Sequence, residues 1–105
     1  MTDPVPGRPD GPTDLSALSA AILALRNAEE ADRFLRDLLT PGEMKTLAER
    51  WRVAGLLAEG GHSYREISEM TGASTTTVTR VARFLSQEPW QGYRTILNRL
   101  KETGS

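Results

Sequence analysis

The chain has 105 residues, 38% of them hydrophobic and 26% charged, with a formal net charge of −1, a size that fits one domain. It contains no cysteine, which excludes disulfides and cysteine metal sites and suits a reducing cytoplasm. No apolar run approaches the ~20 residues of a membrane span, and the N-terminus lacks the charged-then-apolar pattern of a signal segment.

Residues 1–14 hold four prolines and two glycines around a single aliphatic side chain, Val5. So little apolar surface cannot offset the entropy of ordering, and the segment is expected to be a disordered arm ahead of one domain at 15–102. Asp14 can cap a first helix over about residues 15–26, with Leu15, Leu18, Ile22 and Leu25 as its stripe. A second helix at about 28–39 sets Phe34, Leu35, Leu38 and Leu39 against charged residues that include Glu29 and Glu30. Those two glutamates suit a helix N-terminus, where the macrodipole favours negative charge.

Thr40-Pro41-Gly42-Glu43 is a capping box with proline in the first helical position, so a long helix starts there and runs to about Glu59. Met44, Leu47, Trp51, Ala54 and Leu57 form one apolar line, and Val53 and Leu56 begin a second. Gly60-Gly61 stops the helix.

The stretch 62–85, HSYREISEMTGASTTTVTRVARFL, reads as two short helices hinged at Gly72. Ser63 and Glu66 form a second capping box, starting the first of these helices at Tyr64. Ile67, Met70 and Thr71 give it an inward face, and Gly72 supplies the left-handed backbone of a sharp turn. Small Ser68 sits where the two helices approach closely. Ser74 or Thr75 caps the second helix, which carries Val78, Val81 (or Ala82) and Leu85 inward. Such a pair is the helix-turn-helix pattern, whose second helix enters the DNA major groove. Its outward face offers Ser74, Thr75, Thr76 and Thr79, then Arg80 and Arg83. Hydroxyls and arginines of this kind bond phosphates and base edges. Arg65 on the preceding helix is a further candidate contact. The competing reading is an ordinary helical hairpin whose threonines only cap.

Pro89 ends this region, and a last helix is expected over about 90–101, with Trp90, Tyr93, Ile96, Leu97 and Leu100 at helical spacing. Trp51 and Trp90 are expected in the core, and His62 in a solvated loop. No strand pattern is present, so the fold class is all-α with five or six helices. Charge is polarised: residues 72–101 hold five basic residues against Glu88 alone, whereas residues 1–43 hold four basic and eight acidic. Positive charge thus accumulates around the second helix of the pair, as a DNA contact requires. The wide leucine stripes exceed what one short chain readily covers, which points to a homodimer rather than a compact monomer.

Residues 38–80, LLTPGEMKTLAERWRVAGLLAEGGHSYREISEMTGASTTTVTR, resemble the Trp repressor family. With AAILALRN upstream and GYRTILNRLKE downstream, the likeness covers roughly residues 15–102 and is strongest to the YerC/YecD-type branch. The resemblance implies an interlocked all-helical dimer whose helix-turn-helix pairs project as DNA-reading heads. It also implies a corepressor pocket in which two arginines sandwich an indole. Arg50 and Arg80 match those arginines, and Thr40 matches the box whose carbonyls meet the ligand's ammonium group. Val81 departs from the family's glycine and would project toward the indole. Phe84 replaces the serine that helps hold the ammonium group. An unpartnered ammonium group costs about 1–3 kcal/mol, and overpacking about 1–3 kcal/mol, so tryptophan binding is disfavoured. Arg50 and Arg80 are then left to bind phosphate, to line a pocket for another small effector, or to pair with Glu43, Glu49 or Glu69.

The expected function is a sequence-specific DNA-binding regulator, by expectation a repressor, that reads a two-fold operator on double-stranded DNA. An all-helical dimeric protein-interaction module is the alternative. One histidine, no metal-ligand spacing and no glycine-rich phosphate loop argue against an enzyme.

Overall fold

The structure is a computed structural model that describes residues 10–104. Six helices and no strand occur among the described residues: α1 (Asp10–Leu23), α2 (Ala28–Leu38), α3 (Pro41–Glu59), α4 (Tyr64–Thr71), α5 (Thr75–Ser86) and α6 (Gly92–Gly104). The all-α expectation holds. The chain forms two compact units, divided between Leu39 and Thr40.

The first unit holds α1 and α2. The start of α1 lies at Asp10, inside the stretch expected to be a disordered arm; the part of that arm before Asp10 lies outside the described residues. Pro12 falls in the first turn, where backbone N–H groups have no intrahelical acceptor, so its missing donor costs nothing there. The helix also ends at Leu23 rather than near 26. Its end tightens, with the Ala24 N–H 3.1 Å from both the Ala20 and Ala21 carbonyls. Asn27 must be extended to cap α2, at φ −158° and ψ 173°, and its side chain accepts from the Glu30 N–H at 2.9 Å. No residue of α2 is buried, and Leu15, Ile22, Leu23, Leu35 and Leu38 are exposed.

The second unit holds α3 to α6. The α3 capping box forms as expected, the Thr40 N–H donating to Glu43 Oε1 at 2.8 Å and the Glu43 N–H to Thr40 Oγ1 at 3.1 Å. Its core is Val53 and Ala54 of α3, Ile67 of α4, Ala73 of the turn, and Val78 and Val81 of α5, with Leu56, Leu57, Tyr93 and Leu97 packed against it. Ile67, Val53, Val78 and Val81 have no solvent exposure, which stabilises the unit by about 1.5–3 kcal/mol for each side chain.

Three expectations about packing are corrected. Met70, placed inward by its spacing, is exposed. The last helix begins at Gly92, because Gln87 caps α5 and residues 88–91 form a turn closed by Gln91, whose side-chain amide donates to the Glu88 carbonyl at 2.9 Å. Trp90 therefore precedes the helix and is 79% exposed, while Trp51 is 38% exposed beside Tyr93, so neither tryptophan is a core residue of the single chain.

Candidate nucleic-acid interface

The α4–turn–α5 unit is built from local signals that agree with one another. The Ser63 N–H donates to Glu66 Oε1 at 2.8 Å and the Glu66 N–H to Ser63 Oγ at 3.1 Å, closing the second capping box. Gly72 ends α4 at φ 83° and ψ −6°, a left-handed conformation, with its N–H on the Ser68 carbonyl at 2.9 Å. A Cβ there would meet Glu49 Oε2 at 3.5 Å, so space is adequate and backbone geometry is the constraint.

Two hydroxyls then fix the turn. Ser68 Oγ donates to the Ala73 carbonyl at 2.6 Å. Thr71 Oγ1 donates to the Ile67 carbonyl at 2.8 Å and accepts from the Ala73 N–H at 3.1 Å. From α3, Arg52 Nη1 donates to the Met70 carbonyl at 3.0 Å, tying the end of α4 to the long helix. Ser68 was expected only to allow a close approach; its hydroxyl is in addition a tie across the turn.

With Val78, Val81 and Leu85 buried, the opposite face of α5 is fixed outward. Thr75, Thr76, Thr79, Arg80 and Arg83 are all exposed on it. Ser74 is the N-cap, its hydroxyl oxygen accepting from the Thr77 N–H at 3.1 Å. Thr79 Oγ1 donates to the Thr75 carbonyl at 2.9 Å, so its hydroxyl presents lone pairs and its methyl outward rather than a donor. Thr75 and Thr76 make no side-chain hydrogen bond among the described residues and keep both donor and acceptor capacity. Arg65 of α4 is also exposed and lies 3.8 Å from Glu69, a surface pair weak enough to open for another anion.

The two arginines of α5 are held differently. The guanidinium carbon of Arg80 lies 4.4 Å from the centroid of the Phe84 ring and that of Arg83 lies 5.0 Å from it. Arg83 also meets Glu88, Nε to Oε2 at 3.4 Å. Phe84 is half-buried and lines a groove with Trp51, Trp90, Tyr93 and Ile96. Arg80 lines it as well, so the groove brings together two of the residues expected in a ligand pocket, Arg80 and Phe84, with aromatic and apolar neighbours that the sequence pattern places in the core or in helical stripes.

Of the residues proposed for a ligand pocket, Thr40 is engaged in its cap and its carbonyl accepts from the Met44 N–H at 2.9 Å. Val81, expected to project toward a ligand, is fully buried in the core. Arg50 is half-buried, and its Nε makes no hydrogen bond among the described residues. The carboxylates suggested as its partners are engaged elsewhere: Glu43 in the cap, Glu49 with Lys45 and Glu69 with Arg65. No group of metal-binding side chains and no helix long and apolar enough to cross a membrane occurs among the described residues.

Comparison with known proteins bears on this geometry. The family model described as Trp repressor protein matches residues 13–101. The protein titled "Uncharacterized protein YerC" of Bacillus subtilis is 43% identical over 90 residues, covering 86% of this chain and 85% of that one. A Trp operon repressor homolog of Chlamydia trachomatis is 38% identical over 64 residues, covering 57% of this chain and 68% of its own. The crystal structure of a TrpR like protein from Eubacterium eligens superposes with a TM-score of 0.79 at 37% identity, covering 88% of this chain and 93% of that one. With its helix-turn-helix formed and the match spanning both units, the chain belongs to the Trp repressor family.

Proposed function

We propose that this protein is a sequence-specific transcriptional regulator, acting as a repressor by occupying its operator, that binds double-stranded DNA as a two-fold dimer. The observation that carries the reading is the division of α5, whose apolar residues are buried while Thr75, Thr76, Thr79, Arg80 and Arg83 are exposed together. In the major groove the threonines would meet base edges and thymine methyls, and Arg80, Arg83 and Arg65 the phosphates. Ser74 would approach the backbone as the cap of that helix. The basic excess over residues 72–101 supports the same orientation.

A dimer is supported by the apolar residues the single chain leaves in solvent, among them Leu15, Ile22 and Leu23 of the first unit and Trp51, Trp90, Ile96 and Leu100 of the second. Burying them against a second copy removes that surface from water. It also presents two recognition helices about 34 Å apart, one DNA turn, for a palindromic site.

The dimer binds without tryptophan in this reading. Val81 occupies core volume, Phe84 offers no acceptor for an ammonium group, and the guanidinium carbon of Arg80 already sits over the Phe84 ring. No cofactor is required, and the heads are held by the chain's own packing.

Selection of random-sequence duplexes by the purified protein, with and without a panel of amino acids, tests the reading. The expected result is a palindromic site recovered equally in both arms, with affinity falling steeply as salt rises through counterion release. Absence of duplex retention at low salt, combined with salt-insensitive capture of a protein, would instead identify an interaction module. Micromolar binding of L-tryptophan by calorimetry would overturn the effector-free part alone.

A further inference from the structure

We propose that Phe84 is a positioning residue for DNA binding: its ring is a platform on which Arg80 and Arg83 stack, so that the edges of both guanidinium groups are preset to meet backbone phosphates. The inference rests on the DNA-binding reading above and deepens it.

The geometry has three parts. Arg80 lies one helical turn before Phe84 and Arg83 directly before it, and both guanidinium carbons lie within cation–π range of one ring, at 4.4 Å and 5.0 Å. Phe84 is itself half-buried on α5, in the groove it lines with Trp51, Trp90, Tyr93 and Ile96, so the platform is partly shielded from solvent.

The mode of contact matters most. A carboxylate partner occupies the N–H edge of a guanidinium group, as Asp32 does on Arg36 Nε at 2.9 Å. A ring beneath the guanidinium carbon accepts no conventional hydrogen bond from it, so N–H groups remain available for contact with a phosphate. Stacking therefore restricts the two side chains without using the groups that bind DNA. Less side-chain freedom remains to be lost when the complex forms. Glu88 takes Nε of Arg83 at 3.4 Å, which leaves the terminal nitrogens of that arginine as its phosphate-facing edge.

The test measures Kd for the duplex recovered by the random-sequence selection, across a salt series. Phe84→Leu keeps an apolar side chain and removes the ring; it should weaken binding about tenfold, while Phe84→Tyr, which keeps the ring, should bind within about twofold of the parent. Arg80→Gln and Arg83→Gln should each lower the salt slope by about one. The decisive measurement is the coupling: in an Arg80→Gln/Arg83→Gln background, Phe84→Leu should have no further effect. An equal loss in both backgrounds, or parent-like binding by Phe84→Leu, would overturn the proposal while leaving DNA binding intact.

A second measurement needs neither DNA nor a variant. Proton NMR of the parent protein should show the δ-methylene protons of Arg80 and Arg83 shifted upfield by the ring current of Phe84; random-coil positions for both would overturn the platform. Failure of the parent protein to retain any duplex at low salt would overturn the DNA-binding reading itself, and this inference with it.

Discussion

Gly72 adopts φ 83° and ψ −6° with nothing closer than 3.5 Å to an added Cβ, so a substitution there tests backbone conformation almost alone. Gly72→Ala should destabilise the protein by about 1–2 kcal/mol in chemical denaturation. Loss of the Ser63 cap by Ser63→Ala should cost about 1 kcal/mol in the same assay. Ile67 has no solvent exposure and packs among α3, α4 and α5, so Ile67→Ala should cost about 2–5 kcal/mol. These positions were legible in the sequence because each reports a local need: a positive φ, an orphan N–H group, an apolar site at helical spacing. The stacking of Arg80 and Arg83 on Phe84 was not, since spacing brings side chains near each other without saying which of several charged or aromatic neighbours they choose.

At the scale of helices, starts that carry a capping box were read to the residue, at Pro41 and Tyr64. Two starts were not. Composition makes residues 1–14 an arm with Asp14 as the cap of α1, and Pro89 opens the last helix in the sequence pattern, yet Pro12 lies inside the first turn of α1 and Pro89 ahead of α6, in the turn after α5. A proline restricts its own φ and removes a donor, and both facts are satisfied by a first turn or by a loop. The joint between α4 and α5 depends on hydroxyls more than spacing suggested. Ser68→Ala would leave the Ala73 carbonyl without its 2.6 Å donor in a part-buried site. A loss of about 1–3 kcal/mol is expected in the unfolding free energy, together with faster amide exchange at residues 72–74. Parent-like exchange there would show the tie to be dispensable.

For the molecule as a whole, periodicity identified the apolar faces but could not say which chain would cover them. Trp51 and Trp90 fit a core pattern and yet stand in solvent in the single chain, as do Ile96 and Leu100. The proposed dimer predicts a two-chain mass in sedimentation equilibrium, and Leu100→Glu should shift the protein toward single chains and weaken operator binding with it. A single-chain mass for the parent at micromolar concentration would remove the two-fold operator from the proposal. Along α5, the residues that hold the turn and core share no member with Thr75, Thr76 and Thr79. Under the proposed DNA-binding role, target preference can therefore drift among descendants while the scaffold is left alone. A library randomised at those three sites should stay largely folded and yield altered operator choices, a modularity that would let one architecture serve many promoters.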